Sequence, residues 1–423
     1  MPASPTLRAD PPDALVDTPV RLHLDGLPPG RRATLRLELT DDAGRAWRSW
    51  ATFAADARGA VDVAAQPPLT GTYAGADAMG LFWSAALDPT APEISPFVKT
   101  TLEPITAELA AEVEGRVAAR ATLARRYLTP GVRRVEPPRE AALVGALFVP
   151  AGAGPHPVAL WLGGSGGGTR EQPAALLAAH GIATLALAYF GAPGLPPTLA
   201  RIPLEYFDTA LDWLRTRQEL RAERVGVVGS SRGAELALLL GTRTPRFGAV
   251  VAYAPSSVLW GGVNSSAPAW TSGGADLPAM PDRTSPEQQV AAESSDPLVA
   301  APLYLANLAD AATIEACAIP VGRIAGPALL ISGEDDALWP SALMGDMVLE
   351  RLRRAGHPYP DTHLRYPDAG HLVGYPYLPT TVNARRHPAV GRALAYGGTP
   401  AGAARANADS WPRVLAFLRD TLR

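Results

Sequence analysis

Two serines sit in the pattern G-x-S-x-G. Ser165 lies between Gly163 and Gly167 in "LGGSGGGTR", and Ser231 lies between Gly229 and Gly233 in "VVGSSRGAEL". The chemistry served by that pattern is nucleophilic attack by a hydroxyl held on a tight strand-to-helix turn. The turn needs a buried strand before it, a helix directly after it, and small neighbours. Ser231 meets all three conditions: "RVGVV" precedes it, "RGAELALLL" follows it, and Gly229 and Gly233 flank it. Ser165 is followed by "GGGTREQP", where Pro173 is expected to delay the helix. A glycine-rich run suits close approach of backbone to ligand. Ser231 is therefore the expected nucleophile. The backbone N–H of Arg232, with donors from Gly164, Ser165 and Gly166, is the expected oxyanion hole.

A serine of this kind needs a base, and the base needs an orienting carboxylate. His371 in "YPDAGH" follows a predicted strand in a glycine-containing turn, which places it at the mouth of a sheet. His357 sits past a helix end, His363 within or just before a strand, and His387 in "ARRHP" reads as surface loop. For the acid, "LLISGEDDALWP" ends a buried strand and offers Glu334, Asp335 and Asp336. Asp336 is favoured over Asp335 by its spacing from Gly333 and Pro340. The 35 residues from Asp336 to His371 suffice for one helix and one strand. The order Ser, Asp, His along the chain is that of α/β-hydrolases.

The elements that must position these residues change rhythm part-way along the chain. Residues 1–130 read as short strands separated by turn clusters: "PVRLHL", "ATLRLELT", "AWRSWATF", "AVDVAA" and the apolar run "MGLFWSA". That spacing predicts an N-terminal antiparallel β-sandwich domain. From 131 to 423 strands and helices alternate, which predicts an α/β domain with a doubly wound, mostly parallel sheet. His23, on a predicted strand, and Cys317, in an apolar stretch, are expected to be structural.

Composition excludes several classes. Hydrophobic residues make up 47% and charged residues 19% of 423, with a net charge of -3 and no basic block. Large cores are expected, and a nucleic-acid partner is not. One cysteine leaves no internal disulfide and no cysteine-based metal site, and no metal or other cofactor is expected. No signal peptide and no membrane span are visible, so a cytoplasmic protein is expected. Lys99 is the single lysine, and Ala, Pro and Gly are abundant, which reads as a bacterial GC-rich coding bias.

With these residues in view, the chain resembles the acyl-CoA thioesterase and bile acid-CoA:amino acid N-acyltransferase family. The resemblance rests on "PVRLHLDGLPPG", "GGSGGG", "LALAYFGAPGLP", "IPLEYFDTALDWL", "VGVVGSSRGAELAL", "ISGEDDALWPS" and "YPDAGH". It implies a β-sandwich followed by an α/β-hydrolase domain, with Ser231, Asp336 and His371 as the triad. It also implies a small-molecule acyl thioester substrate, with coenzyme A as part of that substrate, and a place in lipid metabolism. The conjugating branch typically has cysteine where this chain has Ser231, so hydrolysis is expected. The alternatives are transfer of the acyl group to an amine or alcohol, hydrolysis of an oxygen ester, or a non-catalytic binding module. Residues 256–311 depart from the family pattern and are expected to overhang the site.

Overall fold

The computed structural model describes residues 4–88, 95–388 and 390–423. The chain divides into two units. One is Met1–Thr129 with Tyr375–Asn383, and the other is Pro130–Gly374 with Ala384–Arg423. The sequence expectation of 131–423 as one uninterrupted domain misses the nine residues from Tyr375, which pack with the first unit. Thr381 Oγ1 donates to the Ala85 carbonyl, and the Tyr375 ring meets Tyr127 edge-on.

The second unit is built on an eight-stranded sheet: β1 (Arg133–Val135), β2 (Val144–Val149), β3 (His156–Leu162), β4 (Ala183–Ala188), β5 (Leu220–Ser230), β6 (Phe247–Tyr253), β7 (Ala328–Gly333) and β8 (Thr362–Tyr366). Their spatial order is β1-β2-β4-β3-β5-β6-β7-β8. The pairs β1–β2 and β2–β4 are antiparallel, and all the others are parallel. This is the α/β-hydrolase strand order. Both faces of its centre are covered, so β4, β6 and β7 are buried along their whole length and read as continuous apolar runs.

The covering helices are α1 (Glu171–Ala179), α2 (Glu205–Arg215), α3 (Arg232–Arg243), α4 (Ser341–Arg354) and α5 (Pro400–Thr421). Helix α2 buries Phe207, Ala210, Leu211 and Leu214 on one stripe, at the period expected of an amphipathic helix. Helix α1 begins at Glu171, so Pro173 does not delay it. A proline in the first turn occupies a position whose N–H has no intrahelical partner.

The first unit holds a three-stranded and a seven-stranded sheet. In the larger, Arg32–Thr40 pairs with Ala46–Ala54 on one side and Ile105–Val113 on the other. Burial alternates along Arg32–Thr40, with Ala33, Leu35, Leu37 and Leu39 inside. The sheet is not purely antiparallel, because Asp13–Leu15 runs parallel to Arg116–Arg126. "MGLFWSA" is not a strand: Gly80–Trp83 forms a helical turn that buries Leu81 and Phe82 together. Among the described residues no helix is long and apolar enough to cross a membrane.

Candidate active site

Strand β5 ends at Ser230 and α3 begins at Arg232, so Ser231 alone makes the turn between them. Its backbone sits at φ 57°, ψ −121°, a conformation that L-residues rarely adopt and that needs surrounding support. The support is explicit. Ser231 N–H donates to the Tyr253 carbonyl at 2.8 Å, and the Ser231 carbonyl accepts from Ala234 N–H at 2.8 Å. The flanking glycines are sterically required. A Cβ on Gly229 would lie 1.9 Å from the Gly233 carbonyl oxygen, and one on Gly233 would lie 2.4 Å from those of Leu162 and Gly163. The first N–H groups of α3 have no intrahelical acceptor, and the helix dipole adds positive potential there.

The loop after β3 runs directly beside this turn. A Cβ on Gly164 would lie 3.2 Å from Ser231 Cβ and 3.7 Å from its Oγ. The loop is held at both ends: Tyr189 O–H donates to the Gly163 carbonyl at 2.6 Å, and Gly168 N–H donates to the Phe190 carbonyl at 3.0 Å. Gly164 thus lies against Ser231, and Ser165 lines the same cavity as Ser231.

Asp336 and His371 are brought together. His371 Nδ1–H donates to Asp336 Oδ2 at 2.9 Å, and both side chains are buried. Asp336 accepts three further bonds, from Leu338 N–H (2.9 Å), Trp339 N–H (3.1 Å) and Ser341 O–H (2.6 Å). The imidazole is packed between two rings. Tyr396 stacks on it at 5.8 Å, and Trp339 meets it edge-on at 5.8 Å. Asp335 is exposed, and Glu334 pairs with Arg365, so neither reaches His371. No hydrogen bond joins Ser231 Oγ to His371. Ser231, Asp336 and His371 follow the C-terminal ends of β5, β7 and β8, the edge at which open α/β sheets bind ligands. Bonds of this kind are commonly long without substrate and tighten in the complex.

The remaining histidines differ from their sequence readings in one case. His357 bonds to Asp361 and the Ile324 carbonyl. His363 lies between Ser332 Oγ (2.6 Å) and Asp346 Oδ1 (2.9 Å), a serine–histidine–aspartate set. Ser332 is fully buried within β7, and none of the three residues lines the cavity at Ser231. His387 is not in a surface loop. It is buried, and its Nε2 lies 2.9 Å from Ser165 Oγ. The flanking Arg385 and Arg386 suggest solvent, but the hairpin of Ala384–Arg386 and Ala393–Ala395 turns the ring inward.

Ser231, Arg232, Ser165, His387 and Trp339 line one cavity of about 820 Å³. Most of its wall comes from residues 260–307, including Trp260, Leu277, Met280, Leu303 and Tyr304. Residues 260–307 therefore shape the space over Ser231. This segment is fastened to α3 by Glu235. This carboxylate accepts from Trp270 Nε1–H (2.6 Å) and Trp260 N–H (3.3 Å), and its other oxygen lies 3.3 Å from Arg232. Full burial pushes its pKa up to about 7, against the opposing pull of Arg232 and the two hydrogen bonds. Cys317 packs with Val258, Trp260, Met280, Trp339 and Met344 in the core beside this cavity.

A model described as the BAAT / acyl-CoA thioester hydrolase C terminal matches residues 202–423. One described as the acyl-CoA thioester hydrolase/BAAT N-terminal region matches residues 17–137. Acyl-coenzyme A thioesterase 1 of Homo sapiens is 33% identical over 96% of this chain and 94% of its own. The chain belongs to the acyl-CoA thioester hydrolase/BAAT family. Other relatives are as broad in coverage. Acyl-coenzyme A thioesterase 2, mitochondrial, of Homo sapiens is 32% identical over 96% of this chain and 82% of its own. The peroxisomal succinyl-coenzyme A thioesterase of Mus musculus is 32% identical over 95% and 93%. A member of the acyl-CoA thioester hydrolase/BAAT family with this coverage is an enzyme of the thioesterase-like hydrolase kind.

Proposed function

We propose that this chain hydrolyses acyl-CoA thioesters through an acyl-enzyme on Ser231. The observation that carries the reading is the strained turn at Ser231, with the Gly164 loop against it and the Asp336–His371 pair at the same sheet edge. Ser231 Oγ attacks the thioester carbonyl carbon while His371 Nε2 takes the hydroxyl proton. Asp336 accepts Nδ1–H, which fixes the tautomer and stabilises the imidazolium. The carbonyl oxygen becomes an oxyanion, bound by the N–H of Arg232 and one from the Gly164–Gly166 run. One such donor is worth about 10²–10³ in rate. The tetrahedral centre collapses, the C–S bond breaks, and His371 returns the proton to the leaving thiolate of coenzyme A. Water activated by His371 then cleaves the serine ester and releases the acid.

The acyl group is assigned to the cavity, whose walls are mainly apolar. Hydrolysis rather than transfer follows from the nucleophile. An oxygen-ester intermediate is less reactive toward amines than a thioester, which gives activated water the advantage. Three further readings rest on the same footing: the two sheets of the first unit as a β-sandwich, the cytoplasm as compartment, and the absence of a dissociable cofactor.

The test is a product balance. The enzyme is incubated with a long-chain acyl-CoA, with and without glycine or taurine, while a fluorophosphonate adduct is mapped in parallel. Free thiol and free acid in equal amounts, with the adduct on Ser231, are expected. Amide as the main product would make the chain a transferase. Cleavage of simple esters without thiol release would move the substrate to an oxygen ester.

A further inference from the structure

Ser165 is the only side chain in the six-residue run Gly163–Gly168. Glycine loses more conformational freedom on ordering than any other residue, so a run of five glycines in six residues is costly to hold in place. Donors that stabilise developing charge act by being held in place beforehand. The anchors from Tyr189 and Phe190 grip the ends of the loop, and neither reaches its middle. Within the middle, Gly167 N–H donates to the Gly164 carbonyl at 3.2 Å, a bond internal to the loop; the side-chain handle to the rest of the protein is the Ser165 hydroxyl, which His387 holds at 2.9 Å.

The direction of that bond follows from the other side of the ring. His387 Nδ1 accepts from the Val390 N–H at 3.2 Å, so it is the unprotonated nitrogen of a neutral imidazole. The proton then sits on Nε2, which donates to Ser165 Oγ. Burial, reinforced by Arg385, lowers the ring's pKa and keeps it in this neutral form. A histidine that donates to a serine cannot also take that serine's proton. The second G-x-S-x-G is therefore not a second nucleophile. Its serine is an anchor point, and the loop beside the Ser231 turn is clamped through it.

We propose that His387 is a positioning residue: its hydrogen bond to Ser165 Oγ holds the Gly164–Gly166 backbone donors in place for the oxyanion formed at Ser231. The inference rests on the reading of Ser231 as nucleophile. His387 reaches the site from a hairpin that lies after the Tyr375–Asn383 segment, more than two hundred residues beyond the loop it holds.

The test is a double-mutant cycle on the full chain, read with a thiol-reporting acyl-CoA assay. Ser165→Ala removes the acceptor and keeps the Cβ, while His387→Phe removes the donor and keeps the ring volume. Each is expected to lower kcat by about ten- to a hundredfold, below the loss for deleting a donor outright, with KM within about threefold. The double variant is expected to be no worse than the poorer single, because both break one bond. His387→Gln returns an N–H near the position of ring Nε2 and is expected to recover most of kcat. A merely structural role would lower thermal stability without this kcat-specific, non-additive pattern. Unchanged kcat in Ser165→Ala, additive losses, a change confined to KM, or no recovery in His387→Gln each overturns the proposal. If His387→Phe does not fold, Ser165→Ala and His387→Gln still decide it. Ser231→Ala distinguishes the two readings: full activity there sinks the nucleophile assignment, whatever the His387 variants do.

Discussion

Asp336→Asn is the substitution whose outcome the geometry specifies most fully. Asp336 Oδ1 accepts from two backbone N–H groups, those of Leu338 and Trp339. An amide NH₂ cannot take that place without opposing two donors, so asparagine keeps its oxygen there. The amide nitrogen then falls where Oδ2 was, facing Ser341 and His371. Ser341 can rotate its hydroxyl to accept. His371 can answer only by presenting an unprotonated Nδ1, which moves its proton to Nε2, the nitrogen that must receive the serine proton. The imidazole stays packed between Tyr396 and Trp339, so the wrong tautomer is held in the right place. In a serine protease the same change costs about 10⁴ in kcat, or roughly 5 kcal/mol of transition-state stabilisation. We expect a loss of that order in thiol release from acyl-CoA, with near-ultraviolet circular dichroism and the unfolding midpoint close to the parent. Asp335→Asn, on an exposed side chain, is expected to stay within about twofold, as surface substitutions usually do. An Asp336→Asn enzyme within tenfold of the parent would refute the tautomer argument, and the reverse ranking would move the role to Asp335.

Two other perturbations read different parts of the site. Gly233→Ala puts a methyl group 2.4 Å from the carbonyl oxygens of Leu162 and Gly163. The expected cost is about 1–3 kcal/mol in denaturant stability, together with a fall in kcat, because the displaced carbonyls begin the Gly164 loop. Full stability and full activity would show that the turn has slack. Glu235 makes stability depend on pH. Its pKa rises from the usual 4.5 to about 7 on folding, so the folded state holds an extra proton between those values. Its favourable contribution is complete below about pH 4.5 and is lost as the pH climbs through 7, a decline of roughly 3 kcal/mol. The stability of the parent minus that of Glu235→Gln is expected to fall across this window. A difference that stays flat from pH 4.5 to 8 would place the Glu235 pKa at its ordinary value.

What the sequence by itself determined is what short-range pattern carries. The turn at Ser231 is legible because strand, small residues and helix must be contiguous for a serine to make it. Strands β4, β6 and β7 are legible because burial on both faces leaves unbroken apolar runs. The pairing of Asp336 with His371 is legible in outline, since one helix and one strand between them return the chain to the same edge. Pattern fails where local preference and final environment disagree. Ile105–Val113 and Arg116–Arg126 are rich in Ala, Glu and Arg, which favour helix. They form strands because Glu114 and Gly115, both at positive φ, turn the chain back on itself and Ile105–Val113 is paired on both sides. "MGLFWSA" is apolar without a period, and only its packing makes it a helical turn. Residues 256–311 have no regular rhythm, yet they wall the cavity once Trp260 and Trp270 are tied to Glu235. His387 shows most plainly what tertiary structure alone decided. In sequence it is a basic-flanked loop residue with no feature to set it apart. Its contact with Ser165 spans 222 residues, and no spacing rule reaches that far: only closure of the fold brings the ring to the hydroxyl.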